Sequence, residues 1–183
     1  MNDCLLLIDL QNDYFPGGSM ELVDIEKTAA HSKILLNEFR KSDSPIIHIK
    51  HLSILPGATF FLPETDGAKI NEIVAPLGDE IIITKNFPNS FLDTTLLETL
   101  RKKEIENLII CGAMSHMCID ATTRAAFDFG FNCTVIEDAC TTRDLIFKGK
   151  VIKAADVHSS FMAALAFPYA KVVSTEDFIS AKT

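Results

Sequence analysis

Three residues that could act together in catalysis stand beside apolar segments of the chain: Asp9, Lys85 and Cys118. Asp9 ends the run CLLLID and Lys85 ends the run EIIITK, and both runs have the length of a buried strand. Because a carboxylate is costly to bury alone, Asp9 needs a partner, which the ammonium group of Lys85 could supply. A capping role for Asp9 and a solvated Lys85 are the plainer alternatives.

Cys118 stands where a cysteine can become a nucleophile. The stretch CGAMSHMC follows an apolar run, turns, and offers Ser115 as the N-cap of a helix. In the first turn of that helix, the dipole and unpaired N–H groups favour thiolate over thiol, and N–H donors beside a nucleophile can form an oxyanion hole. A buried, inert cysteine is the alternative, and we assign that role to Cys4, Cys111, Cys133 and Cys140.

Six apolar runs alternate with stretches of helical period, which predicts a parallel sheet with helices on both faces. The predicted strands span residues 4–9, 45–52, 80–85, 107–112, 132–138 and 170–174. In such sheets ligands bind beyond the carboxyl ends of the strands. Asp9, Lys85 and the Cys118 segment are all expected at that edge.

Four helices are predicted between these strands. The first is marked by apolar and small residues recurring at three and four positions: Thr28, Ser32, Leu35, Leu36 and Phe39. The second follows Ser90, which forms a capping box with Asp93, the third spans 118–129, and the fourth runs from about 151 to 167. The loop 53–68 is long and apolar, as in lids, binding loops and subunit contacts, although a plain structural loop is equally compatible.

Composition narrows the possible function classes. The length of 183 residues and a hydrophobic fraction of 48% predict one domain over 1–183. Lys and Arg total 17 against 25 Asp and Glu, a net charge of -8, which argues against nucleic-acid and anionic membrane partners. The opening apolar run is short, has no basic region before it and contains Asp9, so it is expected to be a core strand rather than a signal peptide, and no later run has the length and apolar character of a membrane span. The five cysteines form no C-x-x-C pair. We therefore expect reduced thiols in a cytoplasmic protein.

Three sequence blocks resemble one enzyme family. LLLIDLQNDYFPGG, TKNFPNSF and CGAMSHMCIDATTRAAFDFGFNCTVIEDAC resemble the signature blocks of the isochorismatase-like cysteine hydrolases, in the family's order and over nearly the whole chain. This resemblance implies a three-layer α/β/α sandwich with six parallel strands in the order 3-2-1-4-5-6. It also implies a homo-oligomer, dimer or tetramer.

The resemblance assigns roles to individual residues. It implies that Asp9 is the general base, Lys85 the stabilising cation and Cys118 the nucleophile. It further implies a cis peptide bond between Ala113 and Met114, with the backbone N–H groups of Met114 and Cys118 as the oxyanion hole. A cis bond without proline costs about 2.5–4 kcal/mol, so surrounding structure would have to enforce it.

The expected chemistry requires no metal or other cofactor. Nicotinamidases of this family carry an Asp-x-His metal motif, whereas the corresponding stretch here reads HIKHLS. His48 and His51 would point to opposite faces of a strand, so joint ligation is not expected. For His51 a substrate contact is predicted, and for His116 a place in the pocket wall, since an offset of two residues argues against a dyad with Cys118.

We expect a hydrolase acting on a small molecule. Three aromatic residues flank the signature blocks and suit a planar amide or heterocycle, although core packing explains them almost as well: Phe15, Phe87 and Phe91. The prediction is cleavage of a C–N bond, of amide or ureide type, through a thioester on Cys118. The alternatives are a vinyl-ether hydrolase of isochorismatase type and a non-catalytic binding or assembly module.

Overall fold

The predicted parallel sheet is present in the computed structural model, which describes residues 2–181. Numbered along the chain, the strands are β1 Asp3–Ile8, β2 Ile46–His51, β3 Ile81–Lys85, β4 Asn107–Ala113, β5 Asn132–Thr141, β6 Leu145–Phe147, β7 Lys150–Ile152 and β8 Lys171–Val173. Six of them form one sheet in the order β3-β2-β1-β4-β5-β8, with every pair parallel. The predicted order is thereby confirmed, with β8 as the sixth strand.

Within residues 2–181 the chain forms five α-helices. They are α1 Ile25–Lys41, α2 Leu96–Lys102, α3 Asp120–Asp128, α4 Ala154–Leu165 and α5 Thr175–Ser180. α1 contacts α5 and α3 contacts α4, and both pairs also contact β5. This arrangement confirms the layered α/β/α fold. Within residues 2–181, no helix combines the length and apolar character needed to cross a membrane.

Burial along the strands explains their sequences. In β1, residues from Cys4 to Ile8 are all buried, because this strand lies at the centre of the sheet and is covered on both faces. β3 lies at the edge and alternates, so Ile82 is exposed whereas Ile83 is buried. A continuous apolar pattern therefore indicates a central strand of the sheet, and an alternating pattern indicates an edge strand.

A hairpin replaces the start of the predicted fourth helix. β6 and β7 pair antiparallel, with Phe147 opposite Lys150, and both residues of the intervening turn, Lys148 and Gly149, have positive φ. A two-residue turn of this kind matches the twist of the flanking strands. The helix expected from about residue 151 begins only at Ala154, because β-branched residues at 151 and 152 pair in the hairpin instead.

The predicted capping box at Ser90 and Asp93 is wrong. The Ser90 hydroxyl lies 2.8 Å from Thr122 Oγ1, and Asp93 adopts a left-handed conformation with φ 54°. α2 consequently begins at Leu96. The third predicted helix divides into a π-helical turn, Ser115–Ile119, followed by α3.

Candidate active site

Asp9 is positioned by the end of β1. Its backbone N–H donates to the Ile49 carbonyl at 3.0 Å, and its φ of 55° turns the chain sharply away from the sheet. Aspartate tolerates this left-handed conformation better than most residues. The carboxylate is fully buried, and no N–H or O–H group of residues 2–181 donates a hydrogen bond to Oδ1. A buried, unsatisfied acceptor is therefore available at the carboxyl edge of the sheet.

Lys85 lies at the centre of the site. Its Nζ is 2.8 Å from Asp9 Oδ2, 3.2 Å from Cys118 Sγ and 3.0 Å from His51 Nδ1. It also donates to the Phe87 carbonyl at 3.1 Å. Burial alone would lower the pKa of Lys85, but the charges of Asp9 and Cys118 raise it above its ordinary value. Lys85 is therefore an ammonium ion whose positive charge is balanced by Asp9.

Cys118 is carried by the turn between β4 and α3. Met114 begins this turn with φ 68° and ψ 68°, and its carbonyl accepts hydrogen bonds from the N–H groups of Met117 and Ile119. The thiol is buried, and burial, together with the negative charge of Asp9, raises its pKa despite the opposing effect of Lys85. The prediction that the helix turn favours the thiolate is thus wrong for the resting site, because burial dominates.

The expected cis peptide between Ala113 and Met114 is also wrong. The cis peptide that the structure contains within residues 2–181 joins Phe167 and Pro168. At the nucleophile turn the chain changes direction through the left-handed conformation of Met114, with no cis bond. The oxyanion hole assigned to the N–H groups of Met114 and Cys118 remains a prediction.

His51 is the fourth member of the cluster. It ends β2, in register with Lys85 on β3, and its ring is half-buried. Gln11 binds its backbone twice, accepting from the His51 N–H at 2.7 Å and donating to the His51 carbonyl at 2.8 Å. Burial, and then the charge of Lys85, lower the pKa of His51. The imidazole is accordingly neutral near pH 7.

The other predicted pocket residues have different surroundings. Phe87 contributes its backbone carbonyl to Lys85, and Phe15 is buried in the core. Phe91 packs against Phe129, with ring centroids 5.2 Å apart, rather than on the polar cluster. His116 Nδ1 lies 2.6 Å from Thr142 Oγ1, and its ring lies 6.0 Å from the Phe161 ring.

An aromatic wall beside the site was not predicted. The Tyr14 and Phe61 rings lie 4.6 Å apart, the Phe60 and Phe61 rings 5.0 Å apart, and the His51 and Phe61 rings 5.8 Å apart. Burial raises the pKa of the Tyr14 phenol, and the charges of Cys118 and Asp9 raise it further, so the hydroxyl is protonated. Phe60 and Phe61 belong to the loop 53–68, which therefore folds toward the site.

Asp13 holds this loop in place. Its Oδ2 accepts from the Phe61 N–H at 2.6 Å, and its Oδ1 accepts from the Ser19 N–H at 3.2 Å. A Cβ atom at Gly67 would lie 2.1 Å from Asp13 Oδ1, so a side chain at this position would displace the Asp13 carboxylate. The signal available in the sequence was a second acidic residue four positions after Asp9, in the stretch DLQND.

The cluster also contains the donor types of a metal site. One ligand atom each from Asp9, His51 and Cys118 lie within 4.8 Å of one another. The Lys85 ammonium lies within 3.2 Å of all three residues, where a bound cation would otherwise sit. A metal ion could use these donors only if Lys85 moved away.

Comparisons with known proteins agree with the fold described above. The isochorismatase domain family model matches residues 3–177. The isochorismatase family protein YddQ of Bacillus subtilis is 46% identical, covering 98% of this chain and 99% of that protein. A crystal structure from Oleispira antarctica, described as an isochorismatase hydrolase, superposes with a TM-score of 0.94 at 47% identity, covering 98% of this chain and 96% of that one.

A relative with a named activity is more distant. Streptothricin hydrolase of Streptomyces noursei is 28% identical over 77% of this chain and 50% of its own length. The family match spans nearly the whole chain and includes the segments that carry Asp9, Lys85 and Cys118. The chain therefore belongs to the isochorismatase family of hydrolases.

Proposed function

We propose that this protein is a cysteine hydrolase that cleaves a C–N bond of a small amide or ureide through a thioester on Cys118. One observation carries the proposal: the Lys85 ammonium lies 2.8 Å from the carboxylate of Asp9 and 3.2 Å from the sulfur of Cys118. Such a cluster holds a nucleophile, a base and a balancing cation without contact to bulk water.

The first step is a proton transfer within the cluster. Since the pKa of Cys118 is raised by burial and by Asp9, the thiolate forms by passing its proton to the carboxylate rather than to water. The total charge of the cluster does not change in this transfer, because one anion replaces another beside Lys85. The ammonium group stabilises whichever partner carries the negative charge.

Attack and leaving-group departure follow. The thiolate sulfur bonds to the carbonyl carbon, and the resulting oxyanion is stabilised by the backbone N–H groups of Met114 and Cys118. Asp9 then returns the proton to the leaving nitrogen, the C–N bond breaks, and an amine or ammonia departs. In the second half of the reaction Asp9 takes a proton from a water molecule, and the resulting hydroxide attacks the thioester carbon. The C–S bond breaks with release of the product acid, and Asp9 returns its proton to the Cys118 thiolate, which restores the thiol.

The surroundings favour a planar substrate. Tyr14, Phe60 and Phe61 form an aromatic wall next to His51, and flat amides or heterocycles pack well against such rings. Phe15, Phe87 and His116 are proposed to complete the pocket around the nucleophile. No metal or other cofactor is needed in this proposal, because Lys85 supplies the positive charge.

We also propose that the protein forms a homo-oligomer and that it functions in the cytoplasm. The hairpin β6–β7 exposes Ile146 and Phe147, at 76% and 64%, which is compatible with a homo-oligomer, dimer or tetramer. A monomeric mass in light scattering would contradict the proposed oligomer. All five cysteines are free thiols, as expected for a protein of the reducing cytoplasm.

Alkylation with iodoacetamide, read by peptide mass analysis, tests the nucleophile. Burial raises the pKa of all five thiols. We nevertheless expect Cys118 to react first, because it lies beside Asp9, which can accept its proton, and beside the Lys85 ammonium, which stabilises the thiolate. The preference should disappear in Asp9→Ala and persist in the control Cys4→Ala. Reaction of Cys118 no faster than the other cysteines would favour a binding module.

The bond that is cleaved is tested by ammonia release. A panel of small amides and ureides should include at least one substrate that releases ammonia with wild-type protein and none that does so with Cys118→Ala. A vinyl-ether hydrolase would instead react with enol ethers and release no ammonia. That result would keep the nucleophile and reject the C–N assignment.

A further inference from the structure

The two ring nitrogens of His51 face different surroundings. Nδ1 lies 3.0 Å from Lys85 Nζ. Nε2 has no hydrogen-bond partner among residues 2–181, and it is not sealed from solvent. One side of the ring therefore contacts the catalytic cluster, while the other side is free to contact a bound molecule.

The contact with Lys85 determines which ring nitrogen carries the proton. An ammonium group has donors only, so Nδ1 must contribute its lone pair to this contact. In a neutral imidazole the proton is then on Nε2. The lowered pKa of His51 and the raised pKa of Lys85 agree with this assignment.

The His51 ring is also held firmly before any substrate binds. Gln11 fixes the His51 backbone through two hydrogen bonds and donates a third to the Ala68 carbonyl at 2.9 Å. The Phe61 ring lies 5.8 Å away on the side of the aromatic wall. A donor held in this way loses little conformational entropy when it binds an acceptor.

We propose that the Nε2–H group of His51 donates a hydrogen bond to an acceptor on the substrate beside the scissile carbonyl, and so selects amides and ureides that carry such an acceptor. Suitable acceptors are a second carbonyl oxygen or a pyridine-type nitrogen. Substrates without one would cover the donor without giving it a partner, which disfavours them. This inference rests on the proposed function and extends it to substrate choice.

Two planar amides of nearly identical shape test the selection. Picolinamide carries a ring nitrogen beside the carboxamide, and benzamide carries a C–H group at that position. Each is used to protect Cys118 of the intact protein against iodoacetamide. We expect picolinamide to protect at a concentration roughly three- to tenfold lower than benzamide, the range of one neutral hydrogen bond.

Matched variants separate the two contacts of His51. His51→Asn keeps an acceptor for Lys85 but removes the distal donor, so the difference between the two amides should vanish. His51→Gln places an amide N–H near the position of Nε2 and should retain part of the difference. His31→Asn removes a histidine that contacts Asp138 instead, and it should leave the ratio unchanged.

Nitrogen NMR of histidine-labelled protein provides a readout that does not depend on Cys118 reacting. The His51 signals, identified by their loss in His51→Asn, should show a protonated Nε2 and a bare Nδ1 at neutral pH. The Nε2 signal should shift with picolinamide and not with benzamide. Loss of the preferential alkylation of Cys118, by itself, would reject the proposed function. A proton on Nδ1 of His51, or equal responses to both amides in both experiments, would overturn this inference.

Discussion

At the level of single residues, the central feature is a buried ion pair. Asp9 and Lys85 are both fully enclosed, and their charges cancel 2.8 Å apart. Burying two charges is costly, and their mutual attraction recovers that cost only while both are present. The pair should therefore contribute more to catalysis than to stability, and the two contributions can be separated by mutation.

Asp9→Asn preserves the shape of the side chain and removes its charge. We expect the free energy of unfolding of this variant to be about 3–5 kcal/mol lower than that of the wild type, because the ammonium ion is left buried alone. Lys85→Met should lose a similar amount. The double variant Asp9→Asn/Lys85→Met should recover most of the stability but none of the Cys118 alkylation preference. Urea unfolding and peptide mass analysis measure the two effects.

The double variant is the decisive sample. If its loss of unfolding free energy equals the sum of the losses in the two single variants, the two charges do not interact as the distance implies. If it alkylates like the wild type, Asp9 is not the base. Circular dichroism of each variant before urea addition verifies that the comparison starts from folded protein.

Most of the cluster could be predicted from the sequence, and its protonation state could not. Asp9 and Lys85 were recognisable because each ends an apolar strand of a parallel sheet. The contact between His51 and Lys85 depends on strand register, and the high pKa of Cys118 depends on how completely the surrounding chain excludes water. These properties belong to the packed structure and leave no local pattern in the sequence.

At the level of elements, regular segments were predicted better than the connections between them. The six strands were recognisable from continuous apolar runs, whereas the hairpin β6–β7 interrupts a stretch of helical character. Two β-branched residues, Val151 and Ile152, prefer the strand once the Lys148–Gly149 turn brings them opposite a partner. Tertiary pairing of this kind overrides a helical pattern.

The loop 53–68 shows a second limit of sequence patterns. Its apolar residues are compatible with a lid, a subunit contact or packing. In the structure, Phe61 is fully buried and its N–H group donates to Asp13. The loop is therefore anchored by a side chain from a different segment, and only the folded chain reveals which one.

Gly67→Ala tests this anchor. The added Cβ would overlap Asp13 Oδ1, while Oδ2 of the same carboxylate is held by Phe61 N–H, so the acid cannot move without losing a hydrogen bond. We expect a loss of about 1–3 kcal/mol in unfolding free energy and faster alkylation of Cys118 as the loop loosens. Thermal unfolding and iodoacetamide rates measure these effects.

Gly57→Ala serves as the matched control in the same loop. Gly57 has φ +79°, and a Cβ added there would meet no atom within 4 Å, so only the backbone conformation is strained. Its cost should be about 1–2 kcal/mol, with unchanged alkylation of Cys118. An equal increase in alkylation in both variants would contradict the specific role of Asp13.

At the level of the whole molecule, one carboxylate joins three parts of the fold. Glu80 precedes β3, and its two oxygens lie 2.6 Å from Arg40 Nε in α1 and 2.9 Å from His48 Nε2 in β2. The Leu77 N–H group donates to it as well, at 2.9 Å. This network closes the edge of the sheet far from Cys118, so it should affect stability without affecting the chemistry.

The pH dependence of stability should report this network. Burial would raise the pKa of Glu80, but hydrogen bonds from Arg40, Leu77 and His48 lower it from 4.5 to about 2. Its stabilisation is thus fully present above pH 4.5 and is lost as the pH falls from 4.5 to about 2. The wild type should lose on the order of 2–3 kcal/mol of unfolding free energy from this cause as the pH falls. This loss should be absent in Glu80→Gln, whereas the exposed control Glu98→Gln should follow the wild type. Urea unfolding at pH 6, 4 and 3 measures the difference, and parallel curves for wild type and Glu80→Gln would show that the carboxylate gains nothing from its partners.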